Sequence, residues 1–205
     1  LFNFFNDLII DRIIKITKQI KFKKKIFILT SSKYENKILE KIAKTKKIQI
    51  FFGTENNVLK RFKDCIIKNK FNKNYILRIT SDNYLIQPNI LNNMIKIGLK
   101  KDCDYIYIKP LSHFSGELFK GNVLLKEKSK NKLVLNHVTH GIRRNKKLNI
   151  VSLSDNFMGL NHKKYFTLDT LQDLIIMKKI EKKFPGLKQI NCINSIKKVQ
   201  NLWKY

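Results

Sequence analysis

The sequence predicts an α/β fold of three layers, with helices on both faces of a mostly parallel sheet, and two observations carry that prediction. The first is the run Tyr75 to Ile79, which is short, β-branched and aromatic, and apolar at successive positions. A strand covered by helices on each side has this composition. The second is alternation: apolar runs at Ile26–Leu29, Ile48–Phe52, Tyr75–Ile79 and Tyr105–Ile108 are separated by segments of helical periodicity. Such a pattern implies right-handed crossovers and parallel strands. The 205 residues contain no linker rich in Pro, Gly or Ser, so a single domain spanning 1–205 is expected.

Taken in order, Ile9, Ile10, Ile13, Ile14, Ile16 and Ile20 recur at near-helical spacing and predict a first helix over Leu8–Ile20. The strand Ile26–Leu29 ends in Thr30-Ser31-Ser32, and a helix over Asn36–Thr45 leads to the strand Ile48–Phe52. Gly53-Thr54 then turns the chain into a helix over Asn57–Lys68, with Val58, Leu59, Phe62 and Ile66 on one face. After the strand Tyr75–Ile79 comes a helix over Pro88–Leu99, Pro being tolerated in a first turn. Beyond Pro110 the pattern loosens. A strand is expected at Glu117–Phe119, a helical turn at Val123–Lys126, a short helix at His137–Arg144 and a strand at Leu148–Leu153, open to antiparallel pairing. A short strand Tyr165–Leu168 precedes a helix capped by Thr170 with Asp173 three residues on, a capping-box variant. Pro185-Gly186 ends that helix near Phe184, and Ile190–Tyr205 is expected to form a last one.

The formal net charge of +28 raises the question of nucleic acid. Only five of the 43 basic residues are Arg, and Lys occupies nearly every solvent-facing slot, as in Lys21, Lys23, Lys24 and Lys25. That distribution describes a solvated surface, so no nucleic-acid partner is expected. The apolar start, Leu1 to Asp11, is broken by Asn and Asp within every few residues, and no membrane span is expected either. Cys65, Cys103 and Cys192 share no C-x-x-C spacing, which points away from disulfides and zinc and towards a reducing cytoplasm.

Two carboxylates stand where chemistry is expected. Asp82 follows the strand Tyr75–Ile79 by one turn, and ligands in open α/β sheets collect outside the carboxyl ends of strands. Asp169 repeats the arrangement between the strand Tyr165–Leu168 and a helix start. Both positions also suit ordinary turn or cap residues. Were the two to meet at about 4 Å, they would repel by roughly 4 kcal/mol at an effective dielectric of 20. They would then share a proton or hold a divalent cation such as Mg²⁺.

The order of motifs carries more information than any one of them. Leu29-Thr30-Ser31, Gly53-Thr54 with Val58-Leu59-Lys60-Arg61-Phe62, Arg78-Ile79-Thr80-Ser81-Asp82, Gly116-Glu117-Leu118-Phe119, His137-Val138-Thr139 and Thr167-Leu168-Asp169-Thr170 follow one another through nearly the whole chain. In this the sequence resembles the cytidylyltransferase family, especially its spore-coat-polysaccharide branch, and the related acylneuraminate and 3-deoxy-manno-octulosonate cytidylyltransferases. The resemblance implies a nucleotide-diphospho-sugar-transferase-like fold and transfer of CMP from CTP to a sugar acceptor. It implies that Asp82 and Asp169 are the catalytic pair that binds Mg²⁺. Thr30, Ser31, Gly53, Thr54, Arg61 and Arg78 would bind the nucleotide, while Glu117, His137 and Thr139 would face the sugar. A homodimer is the form that relatives often take.

The sequence departs from the family pattern at Asn57, Tyr84 and Asn136. The family's opening strand and Gly-containing basic loop have no match ahead of Leu1, so the chain is expected to be an N-terminally truncated and inactive form lacking both. Two other outcomes are a glycosyltransferase of the same general fold and a catalytically inactive derivative. The spelling Asp102-Cys103-Asp104 matches the D-x-D of glycosyltransferases, but it precedes a strand instead of following one and is expected to be solvated loop.

Overall fold

Side chains alternate along the strands and so divide the apolar residues between two cores, one on each side of a sheet. The computed structural model describes residues 3–4, 7–83, 85–109, 115–153 and 167–183. Its strands are β1 (Asn3–Phe4), β2 (Asp7–Leu8), β3 (Phe27–Ser31), β4 (Gln49–Gly53), β5 (Tyr75–Arg78), β6 (Tyr105–Tyr107), β7 (Glu117–Lys120) and β8 (Ile150–Ser152). Its helices are α1 (Ile9–Lys18), α2 (Lys37–Thr45), α3 (Val58–Lys68), α4 (Pro88–Lys101), α5 (Gly121–Leu125), α6 (Lys132–Asn136), α7 (His140–Arg144) and α8 (Leu171–Lys183).

The expected α/β class holds, but the sheets are mixed where a mostly parallel one was predicted. Strands β3 and β4 pair in parallel, β1 and β2 form a small antiparallel pair, and the main sheet has the order β5-β7-β6-β8. Strand β7 lies between β5 and β6 and runs antiparallel to both. The physical reason is the short link: only residues 108–116 join β6 to β7, whereas a parallel return needs a crossover of about a dozen residues or more. The sequence leaves the strand at Leu148–Leu153 open to antiparallel pairing; β8 runs parallel to β6. The longer path through α5, α6 and α7 supplies the room for that return.

Helices cover both faces of the main sheet. Ile106, Ile108 and Leu118 point to one side, where they pack with Ile9, Ile13 and Ile16 of α1, Leu91 and Met94 of α4, and Ile176, Met177 and Ile180 of α8. Tyr105 and Phe119 point to the other, against Leu59 and Ile66 of α3, Val123 of α5, Val134 of α6 and Ile142 of α7. Ile106, Phe119 and Met94 are fully buried, and each such side chain contributes about 1.5–3 kcal/mol. On β5 the same alternation sends Tyr75 and Leu77 to the first core and Ile76 to the second. Arg78, two residues past Ile76, falls on the side of α7.

Local chemistry sets the helix ends. Asn57 caps α3, its side chain accepting from the Lys60 amide at 2.8 Å. The Thr170–Asp173 box is formed in both directions: the Thr170 amide donates to Asp173 Oδ2 at 2.8 Å, and the Asp173 amide donates to Thr170 Oγ1 at 3.2 Å. The expected helix His137–Arg144 is instead two pieces. Asn131 caps α6, accepting from the Leu133 amide at 2.8 Å, and α7 begins only at His140. Cys65 and Cys103 are buried free thiols, and burial pushes the Cys65 thiol up to about 11. No described helix is long and apolar enough to cross a membrane. Tyr84, Tyr165, Phe166, the Pro185-Gly186 stop, the helix at Ile190–Tyr205 and Cys192 lie outside the described residues.

Candidate active site

At the carboxyl end of β5 the pairing register sets Arg78 opposite Glu117 of β7. Gly116 makes that approach possible, because a Cβ there would stand 2.4 Å from the Arg78 carbonyl oxygen. Arg78 Nη1 donates to Glu117 Oε2 at 2.7 Å. The other oxygen, Oε1, accepts from the Tyr105 hydroxyl at 2.6 Å, the Thr139 hydroxyl at 2.8 Å and Arg143 Nη2 at 2.5 Å. Glu117 is only 7% exposed, so this carboxylate is enclosed by donors. Burial pushes its pKa up, but Arg78, the Tyr105 hydroxyl, Arg143 and Thr139 together outweigh that and hold it below the usual glutamate value. The Tyr105 hydroxyl is driven the other way, first by burial and then by the adjacent carboxylate, and stays protonated.

Above this cluster opens a pocket of about 280 Å³ lined by Arg78, Glu117, Leu133, His137, Thr139, His140 and Arg143. It gathers Glu117, His137 and Thr139, expected on the sugar side, together with Arg78, expected on the nucleotide side. Glu117 serves there as the anchor of its neighbours, since both of its oxygens are engaged. His137 is exposed at the rim, and His140 Nε2 is buried with no hydrogen-bond partner among the described residues. The His140 imidazole titrates below its ordinary value through desolvation and the charges of Arg144, His137 and Arg143.

Asp82 lies four residues past Arg78. Its carbonyl accepts the Leu168 amide at 3.1 Å, which joins the Asp82 turn to the segment carrying Asp169. Two segments far apart in the chain thus meet through the backbone at Asp82 and Leu168. Because Thr170 and Asp173 cap α8 between themselves, Asp169 is not needed as the cap. Its carboxylate accepts from the Thr167 hydroxyl at 2.5 Å. Asp82 Oδ1 is buried with no hydrogen-bond partner among the described residues, and an unmatched buried carboxylate oxygen is costly unless a ligand meets it. Among the described residues no three His, Cys, Asp or Glu gather as a metal cage. The hard carboxylate oxygens of Asp82 and Asp169 are of the donor type that suits Mg²⁺, which keeps several waters and takes much of its shell from phosphate.

The remaining expected residues cluster at the ends of β3 and β4. Thr30 and Ser31 are buried, and Ser31 Oγ accepts from Asn36 Nδ2 at 2.8 Å. Gly53 has the Arg61 stem against it, with Arg61 Cγ 2.7 Å from where a Cβ would be. The Thr54 hydroxyl donates to the Asn57 carbonyl, and Arg61 donates from Nε and Nη2 to the Thr54 carbonyl at 3.0 and 2.9 Å. Arg61 thereby fixes the turn after β4. None of these five hydrogen-bonds, among the described residues, to Asp82, Asp169 or the Arg78 pocket.

Sequence reasoning missed Arg143 and Tyr105. A signal for Arg143 existed, because Arg is scarce in a chain that otherwise uses Lys. The D-x-D spelling is accounted for structurally: Asp102 closes α4 with φ 45°, and Lys120 Nζ binds Asp102 Oδ1 at 3.1 Å and Asp104 Oδ1 at 3.2 Å.

Comparison with known proteins bears on this arrangement. A family model described as cytidylyltransferase matches residues 1–202. The spore coat polysaccharide biosynthesis protein SpsF of Bacillus subtilis is 31% identical over 121 residues, 58% of this chain and 49% of that protein. An uncharacterized protein of Methanocaldococcus jannaschii is 27% identical over 163 residues, 78% of this chain and 66% of that protein. The chain thus spans about half the length of the first relative and about two thirds of the second. The solved structure of a cytidylyltransferase from Leptospira borgpetersenii superposes with a TM-score of 0.84 at 21% identity, over 98% of this chain and 87% of that one. At that identity the match speaks for the fold. None of these matches shows the expected loss of an opening strand and loop, or the inactivity inferred from it.

Proposed function

From the premise that the chain belongs to the cytidylyltransferase family, we propose that it transfers CMP from CTP to a sugar destined for a surface polysaccharide. Asp82 and Asp169 hold Mg²⁺ in this scheme. The observation that carries it is the buried, unpartnered Asp82 Oδ1 on a turn joined by hydrogen bond to the Asp169 segment. Bound Mg²⁺ supplies neutralisation of the triphosphate charge. The two carboxylates fix where that charge sits, Asp82 from the turn that follows β5 and Asp169 from the segment hydrogen-bonded to that turn. Thr30, Ser31 and Gly53, at the strand ends of β3 and β4, take the base and ribose. The acceptor hydroxyl attacks the α-phosphorus in line and the bond to pyrophosphate breaks, so no side chain is needed as a covalent nucleophile.

The likeness to the spore coat protein supports the polysaccharide destination. The test is pyrophosphate release from CTP and Mg²⁺ in the presence of a panel of neutral and acidic sugars. Asp82→Asn is expected to lower the rate by about 100-fold or more, the effect of removing a main electrostatic contact at the reacting phosphate. An unchanged rate in that variant would contradict the assignment.

A further inference from the structure

At the end of β3 and β4 opposite Ser31 and Gly53, four lysines surround a depression of about 280 Å³ that the transferase scheme does not use. Lys18, Lys24, Lys25 and Lys47 line it, with Ile26 and Ile48 between them and Gln49 at the start of β4. Strands of this length, at about 3.3 Å per residue, set it roughly 15 Å from the rim proposed for CTP. No acid lines it, and none of the four lysines has a carboxylate partner among the described residues. The adjacent Lys46, by contrast, is paired with Asp11 at 3.0 Å.

Helix ends account for part of this charge. Helices α1 and α2 both finish beside the depression, and two helix C-termini together carry roughly one negative charge, which leaves a surplus of about three. The surplus is preorganised. Lys18 Nζ donates to the Lys46 carbonyl at 2.7 Å and Lys24 Nζ to the Ile20 carbonyl at 2.5 Å. An ammonium carries three N–H groups, so each of these two keeps donors for a ligand. Lys25 Nζ stands 5.6 Å from the centroid of the Phe71 ring. Lys47 follows the C-cap of α2 at φ 53°, a left-handed position where glycine is favoured and a side chain is strained. The chain thus keeps a fourth amino group where its own backbone would be more stable without one.

We propose that this depression binds a compact anion carrying two or more linked phosphates, at a site separate from the catalytic rim. The proposal does not depend on the transferase reading. Ammonium groups meet phosphate oxygens as point charges, whereas a planar carboxylate is best matched by a guanidinium fork, and no Arg lines the depression among the described residues. No aromatic ring lines it either, so nothing there stacks a base, which favours phosphate itself over single-stranded nucleic acid.

Calorimetry with inorganic pyrophosphate, in EDTA and without added metal, tests it on the whole chain, with citrate as a carboxylate of similar charge. Wild type should bind pyrophosphate several-fold more tightly than citrate, and the amide NMR signals of Lys47, Ile48 and Gln49 should shift on binding. Lys24→Gln and Lys25→Gln should each weaken binding by about tenfold, the effect of losing one hydrogen bond to a charged group. Lys100→Gln removes the same charge from the last turn of α4, outside the depression, and should change nothing. Lys47→Gly separates a ligand site from a lysine that merely serves a helix end. It should weaken pyrophosphate binding by a similar factor while raising the melting midpoint by about 2–4 °C, as relief of a strained residue in a chain of this size does. Asp82→Asn should bind pyrophosphate as wild type does. Absence of binding by wild type, equal affinity for citrate, or equal losses in Lys24→Gln and Lys100→Gln would each overturn the inference. So would shifts at Thr30, Ser31 and Gly53 in place of Lys47, Ile48 and Gln49. Tighter, Lys24-dependent binding of a short single-stranded RNA or of phosphatidylglycerol vesicles would overturn it as well, by assigning the lysines to a polymer or a membrane surface.

Discussion

Glu117 and Asp82 occupy the same end of one sheet and are opposite cases of a carboxylate in a protein. Glu117 is ringed by Arg78, Tyr105, Thr139 and Arg143, with both oxygens engaged. Asp82 keeps a buried oxygen that nothing described in the chain meets. The difference separates two jobs. A carboxylate enclosed by donors organises its neighbours and is bound to the stability of the fold, while an unmatched one costs stability and is retained where a ligand completes it.

The sharpest way to break that comparison is to neutralise each acid and measure unfolding by denaturant. Glu117→Gln strands Arg78 and Arg143 and is expected to cost about 3–5 kcal/mol, the range for removing one partner of a buried ion pair. Asp82→Asn should leave stability unchanged or raise it. Equal losses in the two variants would show that Asp82 is also structural.

Acid titration sharpens the same contrast. Because the folded Glu117 pKa lies below its unfolded value, its contribution is fully present above about pH 4.3 and is lost as pH falls through the folded value. The stability gap between wild type and Glu117→Gln should therefore shrink in strong acid and stay constant between pH 6 and 8.

A smaller effect is expected at Gly116, where a methyl group would press on the Arg78 carbonyl. Gly116→Ala should lose about 1–3 kcal/mol, as overpacking does, and should weaken the Arg78–Glu117 pair with it. Smallest is Thr170→Ala, about 1 kcal/mol for a lost cap, together with a looser Asp169. A loss there as large as at Glu117 would mean that the Asp169 rim bears more of the fold than its hydrogen bonds indicate.

What could be read from sequence was local. The strand Tyr75 to Arg78, the turn at Asp82 and the Thr170–Asp173 cap depend on neighbours within a few residues, and periodicity and capping chemistry report such things. The reversal of β7 depends on a link too short for a crossover, and its antiparallel seat between β5 and β6 is a fact of three-dimensional pairing. Arg143 escaped notice for the same reason: its partners Tyr105 and Glu117 are 38 and 26 residues away. Arginine scarcity pointed equally to Arg61, whose guanidinium is taken up by the carbonyls of Thr54 and Glu55.

The central claim is that the unmatched oxygen of Asp82 awaits a metal that brings CTP with it. Calorimetric titration of CTP, with and without Mg²⁺, into wild type and Asp82→Asn tests this most directly. The account predicts CTP binding that requires Mg²⁺ in wild type and weakens by about 100-fold in the variant. Equal affinity in the two proteins, or binding indifferent to Mg²⁺, would contradict it.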